Sequence, residues 1–192
     1  AISAVTYGTK KIKPVNKVIG PGNQFVSAAK KEVSGDIGIE AMTAGPSEVL
    51  VVADKSSNPE WLASDLLGQA EHDQLAQCIL ISKDKNTLEK TKKEVFEQLK
   101  NLPRSSIAKK SLMMNGILIY ANSDKKIIEI TNKIGPEHLE LNVKNYKSFV
   151  AKIKNAGSVC LGKYAVMAMT DYGVPGTNHI LPTNMTSKYS SG

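Results

Sequence analysis

Five short apolar runs rich in β-branched residues, separated by longer amphipathic stretches, constrain the fold of this chain more than any other feature. The runs are Val49–Ala53, Cys78–Ser82, Ile117–Tyr120, Leu139–Val143 and Ser158–Leu161. Between them the spacing predicts helices near Pro59–Asp73, Asn86–Lys100, Ser123–Lys133 and Asn145–Asn155. Strand and helix in alternation build a parallel sheet with helices over its faces, because each parallel crossover needs a helix-length connection. Ligands of such sheets bind beyond the carboxyl ends of the strands, so the motifs described next are expected there.

The fold class expected is therefore α/β, a parallel, Rossmann-like sheet with flanking helices, with a partial second α/β unit before it. That first unit spans residues 1–43. It opens on a helix-like stretch at Ala1, has a short candidate strand at Val15–Ile19, and turns through Gly20-Pro21-Gly22-Asn23 into a helix over Gln24–Val33. Gly35, Gly38 and Gly45-Pro46 then loosen the chain. Residues 44–192 form the main domain and end in a loop composition at Ser190-Ser191-Gly192. Both ends read as cut from a longer protein. The helix over Pro59–Asp73 has a defined start: Asn58 caps its orphan N–H groups, Pro59 suits its first turn and Glu60 meets its positive dipole end.

The formal net charge of +7 raises the question of nucleic acid. The lysines are scattered, alternate with glutamates between Lys85 and Lys100, and are joined by a single arginine, Arg104. That is a solvated surface and not an aromatic-basic interface, so no nucleic-acid partner is expected. No run approaches the roughly 18 apolar residues of a membrane helix, and no membrane partner is expected. Cys78 and Cys160 lie in apolar runs and read as buried free thiols of a cytoplasmic protein.

Histidine is scarce, and all three copies sit in compact polar motifs: Gln69-Ala-Glu-His72-Asp73, Gly135-Pro-Glu137-His138-Leu139 and Asp171-Tyr-Gly-Val-Pro-Gly-Thr-Asn-His179. On a helix, Gln69 and His72 are i and i+3, on one face, where an amide oxygen and an imidazole reach one metal ion. The bland reading of His72 is a helix C-terminus with a favourable dipole contact. Glu137 and His138 together suit acid–base work if a bend turns both to one pocket; adjacent strand residues otherwise point to opposite faces. Asp171 and His179 bracket a turn-rich loop and offer a hard oxygen and a nitrogen, or simply cap a turn. Ser47 leads into the first main strand, as a substrate contact or a turn residue. The glycines before Asn23 could present N–H groups to a phosphate, without the full dinucleotide fingerprint.

In their order, Gly20-Pro-Gly-Asn-Gln-Phe-Val26, Ala44-Gly-Pro-Ser-Glu-Val-Leu-Val-Val-Ala-Asp54, Leu66-Leu-Gly-Gln-Ala-Glu-His72, Gly135-Pro-Glu-His-Leu139 and Gly176-Thr-Asn-His-Ile-Leu-Pro-Thr183 are far more specific than any one string. With them, the whole chain resembles the central part of the histidinol dehydrogenase family. The resemblance implies an NAD-dependent, zinc-containing, four-electron oxidation of L-histidinol to L-histidine through the aldehyde, the last steps of histidine biosynthesis, by a cytoplasmic homodimer. It implies zinc ligands at Gln69, His72 and Asp171, and an acid–base pair at Glu137 and His138, the Glu activating water. It further implies substrate contacts at Ser47, Gln69, His72, His138, Asp171 and His179, and a dinucleotide contact at Asn23.

Departures from the family accompany these matches. The family chain is longer at both ends, and a histidine beyond this stretch normally completes its zinc site; no histidine follows His179 here. The Asp171–His179 spacing is one residue longer than the family's, and Ala165–Thr170 replaces its usual Pro-Glu and Gly-Asp pattern. The expectation is a stretch of the enzyme that is inactive by itself. The second reading is a truncated or decayed non-catalytic remnant that folds and dimerises.

Overall fold

The computed structural model describes residues 1–20, 22–39, 47–164 and 166. Its main body is a five-stranded sheet of β3 (Glu48–Ala53), β4 (Gln77–Ser82), β5 (Gly116–Tyr120), β6 (His138–Asn142) and β7 (Ser158–Leu161), in the order β5-β4-β3-β6-β7. Every pairing is parallel, as the alternation of runs required. The strand order reverses between β3 and β6, the arrangement of a doubly wound sheet. Helices α3 (Pro59–Ala70), α4 (Lys85–Leu99) and α5 (Ser105–Asn115) cover one face. Helices α6 (Asp124–Ile134) and α7 (Tyr146–Val150) serve the other. Before this body, α1 (Ile2–Tyr7) and α2 (Gln24–Glu32) accompany a two-stranded parallel sheet of β1 (Lys17–Val18) and β2 (Gly38–Ile39).

β3 and β4 are buried on both faces and are correspondingly continuous in apolar residues. Val49, Val51 and Leu80 pack beneath α3 with Leu62, Leu66 and Leu67. Leu50, Val52, Ile79 and Ile81 point the other way, toward Ile127 and Phe149. β6 departs from this pattern. Its His-Leu-Glu-Leu-Asn alternation sends Leu139 and Leu141 into the second cluster. His138, Glu140 and Asn142, in register with Val49, Val51 and Ala53, lie on the α3 face, and all three are buried. Ser158 and Cys160 of β7 continue this polar seam in register with His138 and Glu140.

The motifs do not fall at the carboxyl ends of the strands, as the strand–helix rhythm suggested. Ser47 precedes β3, Glu137 and His138 enter β6, and α3 returns antiparallel to deliver Gln69 to the same amino edge. The carboxyl edge at the β3–β6 switch point is tied shut by its own polar groups. Ser57 Oγ donates to the Asn142 carbonyl (2.6 Å), Lys144 N–H to Asp54 Oδ2 (2.9 Å), and Thr87 Oγ1 to the Asp54 carbonyl (3.4 Å). Burial works to raise Asp54, but the Ser56 and Lys144 hydrogen bonds and the Lys83 charge outweigh it, and its carboxyl sits below the usual range.

α5 is missing from the sequence expectation because its fully buried positions are only Ala108 and Ser111, with Leu112 half-buried beside them, too little apolar contrast to register as a period. What docks it is polar: Ser111 Oγ donates to the Ala76 carbonyl at 2.9 Å. α7 is shorter than expected, stopping at Val150, and α3 stops at Ala70 and not at Asp73. No helix among the described residues is long and apolar enough to cross a membrane.

Candidate active site

Local backbone chemistry places Glu137 and His138. Ser123 caps the start of α6 through the Lys126 N–H, and Gly135 ends the helix in the left-handed region (φ 58°, ψ 59°) that glycine adopts most readily. Pro136 cannot extend a helix, so the chain leaves directly into β6. The bend turns the Glu137 side chain back toward β3, while His138 takes the α3 face of the sheet by register. Both are almost wholly enclosed, Glu137 at 1% and His138 at 2% exposure.

Glu137 Oε2 accepts from Ser47 Oγ at 2.8 Å and from the Glu48 N–H at 3.3 Å. The exchange is reciprocal, because the Glu137 N–H donates to Glu48 Oε1 at 3.2 Å. Glu137 Oε1 stands 3.7 Å from His138 Nε2. On the other side of the ring, Nδ1 lies 3.2 Å from Ser158 Oγ. A carboxylate and an imidazole thus meet in one buried place, each steered by a serine on a neighbouring strand edge. Such a pair can accept protons from a bound hydroxyl or water.

Gly157 fixes how tightly the β6 and β7 entrances close. The Gly157 N–H donates to the Pro136 carbonyl and the Ser158 N–H to the Glu137 carbonyl, at 3.0 and 2.8 Å. A Cβ at position 157 would stand 2.6 Å from the Glu137 carbonyl oxygen, a backbone atom that cannot step aside. Gly157→Ala is therefore expected to cost about 1–2 kcal/mol, as overpacking does, measured by urea unfolding. A variant as stable as the parent would show that the β7 entrance relaxes without strain.

Gln69 lies in the last turn of α3 and His72 just beyond its end. α3 ends at Ala70, and His72 follows on a turn closed by its N–H to the Gln69 carbonyl (3.1 Å). Gln69 is 1% exposed, whereas the His72 side chain is exposed. Gln69 Oε1 is buried with no hydrogen-bond partner among the described residues. An enclosed amide oxygen without a partner is costly, which makes it a fitting acceptor for a bound cation or ligand. No group of three or more His, Cys, Asp or Glu that could hold a metal ion occurs among the described residues. Asp171 and His179 lie outside them.

Asn23 is placed as the cap of α2, its Oδ1 accepting from the Phe25 and Val26 N–H groups, both at 3.1 Å. It belongs to the N-terminal stretch, and no hydrogen bond among the described residues joins it to Glu137 or His138.

Four residues around the pair were not singled out from sequence. Glu48 and Ser158 are bonded to it directly. Glu140 and Asp65 lie deeper in the seam, hydrogen-bonded across β6 and α3, one strand repeat from His138 and one helical turn from Gln69. The polar alternation of His138-Leu-Glu140-Leu-Asn142, beside central strands that run apolar from Val49 to Ala53 and from Cys78 to Ile81, was the available signal for Glu140. Cys160 shares this face; burial foremost, then the Glu140 and Asp65 charges, push its thiol up to about 11, and burial pushes Cys78 up to about 12. Neither is a ready nucleophile.

The whole chain, residues 1–192, matches the family model described as histidinol dehydrogenase. It is 71% identical over 192 residues to a histidinol dehydrogenase of Pelagibacter ubique, covering 100% of this chain and 45% of the relative. Against that of Listeria monocytogenes serovar 1/2a it is 48% identical over 190 residues, covering 99% and 44%. The crystal structure of histidinol dehydrogenase from Elizabethkingia anophelis superposes with a TM-score of 0.89 at 45% identity, over 100% of this chain and 44% of that one. The chain thus spans less than half the length of the curated relatives it matches.

Proposed function

The chain belongs to the histidinol dehydrogenase family, and on that premise we propose that it forms the central part of an enzyme oxidising L-histidinol to L-histidine through L-histidinal. NAD would be the oxidant and the protein a cytoplasmic homodimer. The observation that supports this most is the enclosed Glu137–His138 pair, because two successive dehydrogenations each require a proton to leave the substrate oxygen.

In the first oxidation, His138 takes the hydroxyl proton of the alcohol while the adjacent carbon gives up a hydride, leaving the aldehyde. Glu137 then takes a proton from the water that adds to the aldehyde carbon, while His138 returns its proton to the carbonyl oxygen and is again a free base. His138 removes the hydroxyl proton of the resulting hydrate as the second hydride departs, leaving the carboxylic acid, which ionises to the carboxylate at neutral pH. The balance is one alcohol and one water in, four electrons out as two hydrides to two nicotinamides. Ser47 holds Glu137 in place through its 2.8 Å hydrogen bond and is assigned to a substrate contact. His179 is assigned to a further substrate contact, and Asn23 to the dinucleotide through the amide N–H groups that its capping role leaves available.

Gln69, His72 and Asp171 would hold zinc, which when bound anchors the imidazole and amine of the substrate. The partnerless Gln69 Oε1 fits an oxygen ligand. Gln69→Ala is expected to weaken zinc binding by at least about tenfold, read by competition with a chromogenic chelator. Unchanged affinity would remove Gln69 from the ligand set.

The direct test mixes full-length protein containing these residues with L-histidinol, NAD and zinc, and follows absorbance of the reduced cofactor. Two reduced nicotinamides for each histidinol consumed are expected. No histidinol-dependent reduction would overturn the reading and leave a folded, non-catalytic relative.

A further inference from the structure

His138 can serve as a base only if its ring is held with one nitrogen facing the reacting oxygen, and the residue that holds it is not among the expected site residues. Ser158 is the first residue of β7 and the register partner of His138. Its backbone is fixed from two sides: its own N–H donates to the Glu137 carbonyl at 2.8 Å, and the preceding Gly157 N–H donates to the Pro136 carbonyl at 3.0 Å. The serine hydroxyl is thus carried on backbone bonded to the very segment it steers. It is 8% exposed, and its Oγ lies 3.2 Å from His138 Nδ1, while Nε2 points to the side where Glu137 Oε1 stands 3.7 Å away.

From this geometry we infer that Ser158 is a positioning residue for His138: its hydroxyl engages Nδ1 and thereby assigns the proton transfers to Nε2, beside Glu137. The hydrogen bond made by one ring nitrogen sets the role of the other. A serine suits the place because its hydroxyl oxygen can accept from Nδ1–H in both charge states of the ring. When His138 is neutral and working as a base, Nδ1–H donates to Ser158 Oγ and Nε2 carries the lone pair. After Nε2 takes a proton from substrate, the same Nδ1–H bond to Ser158 stays in place, so the ring need not turn between the two oxidations. The inference rests on the functional reading above and adds a residue to it.

The test compares the full-length protein with Ser158→Ala and Ser158→Thr. Ring 15N shifts of His138, assigned with His138→Asn, report the tautomer without any need for turnover. Ser158→Ala is expected to change the tautomer balance at His138 and to lower kcat roughly 10- to 100-fold, a part of what a positioned acid–base group contributes, with the KM for histidinol little changed. Ser158→Thr, which keeps the hydroxyl, restores both. Unchanged 15N shifts in Ser158→Ala overturn the inference, and so does a changed tautomer with unchanged kcat. An equal fall in all variants' thermal midpoints with no rescue by threonine would assign Ser158 to packing alone and overturn it too. If the unsubstituted protein does not oxidise histidinol, the parent reading fails instead, and the ring shifts alone decide whether Ser158 orients His138.

Discussion

Glu137→Gln is expected to lower the oxidation of L-histidinal to L-histidine by about 10²–10⁴-fold, the range that general acid–base groups contribute. Oxidation of histidinol to the aldehyde should suffer much less. Glutamine has nearly the same shape, and its amide oxygen can still accept from Ser47 Oγ and the Glu48 N–H, the two donors that hold Glu137 Oε2. Its NH₂ then replaces Oε1 beside His138, where it can fill space but cannot take a proton from water. The fold should stand, because the bonds of the Glu137 backbone itself, its N–H to Glu48 Oε1 and its carbonyl from the Ser158 N–H, do not involve the Glu137 side chain. The measurement is a pair of assays, one supplied with L-histidinol and one with L-histidinal, both followed by cofactor reduction. A variant that oxidises histidinal within about threefold of the parent, a loss too small for a missing acid–base group, would take the water-activating role away from Glu137. An equal loss in both assays would instead place Glu137 in both halves of the reaction, merging its role with that of His138.

The parallel sheet was legible in sequence because β3 and β4 are buried on both faces and hold little besides Val, Leu and Ile, so the runs stand out without any partner being known. The start of α3 was legible for a similar reason. Asn58 caps it through the Glu60 N–H at 2.9 Å, an interaction two residues long. Glu137 and His138 were legible as a pair, but their convergence was not, since it depends on a left-handed Gly135 and on contacts with Ser47 and Glu48 about ninety residues away. The edge of the sheet was misplaced because the general rule for open α/β sheets concerns ligands at carboxyl ends. Here that end is closed by Ser57, Asp54 and Lys144, and the polar residues collect where the strands begin. The end of α3 was read to Asp73, because the apolar stripe gives no stop signal at Ala70. His72 stands on the turn just beyond, with Glu71 between it and Ala70 still in the right-handed helical region.

Asp65→Asn is expected to stabilise the protein near neutral pH, although it removes a charge beside the candidate site. Burial against β6 pushes the Asp65 carboxyl up to about 6 from an ordinary 3.8, with the Glu140 hydrogen bond pulling it partly back. Asp65 is half-buried beside the buried Glu140, so a negative charge on it is poorly solvated. An acid with a raised folded pKa keeps its proton in the native state over a range where the unfolded chain has already released it. Stability from this group is therefore highest below about pH 4, falls as the pH rises toward 6, and stays low above that. A shift of about two units corresponds to about 3 kcal/mol, reduced by water on the exposed flank of Asp65. Asparagine cannot ionise, and its NH₂ can donate to the Glu140 carboxylate, so the variant keeps the bond and loses the cost of a poorly solvated charge. Its advantage over the parent should be near zero at pH 4 and about 2 kcal/mol at pH 8, read from urea midpoints across that range. Comparing the two proteins cancels Asp54, Asp84 and Glu97, whose lowered values act in the opposite direction by losing stability as the pH falls. Parallel stability curves for parent and variant would show that Asp65 ionises as freely in the fold as outside it. A diverging pair would mean that the helix turn carrying Gln69 is held against the strand carrying His138 by a carboxyl pair that costs stability at the pH where the enzyme would work. Such a strained polar contact is expected where position at a site matters more than the stability of the fold.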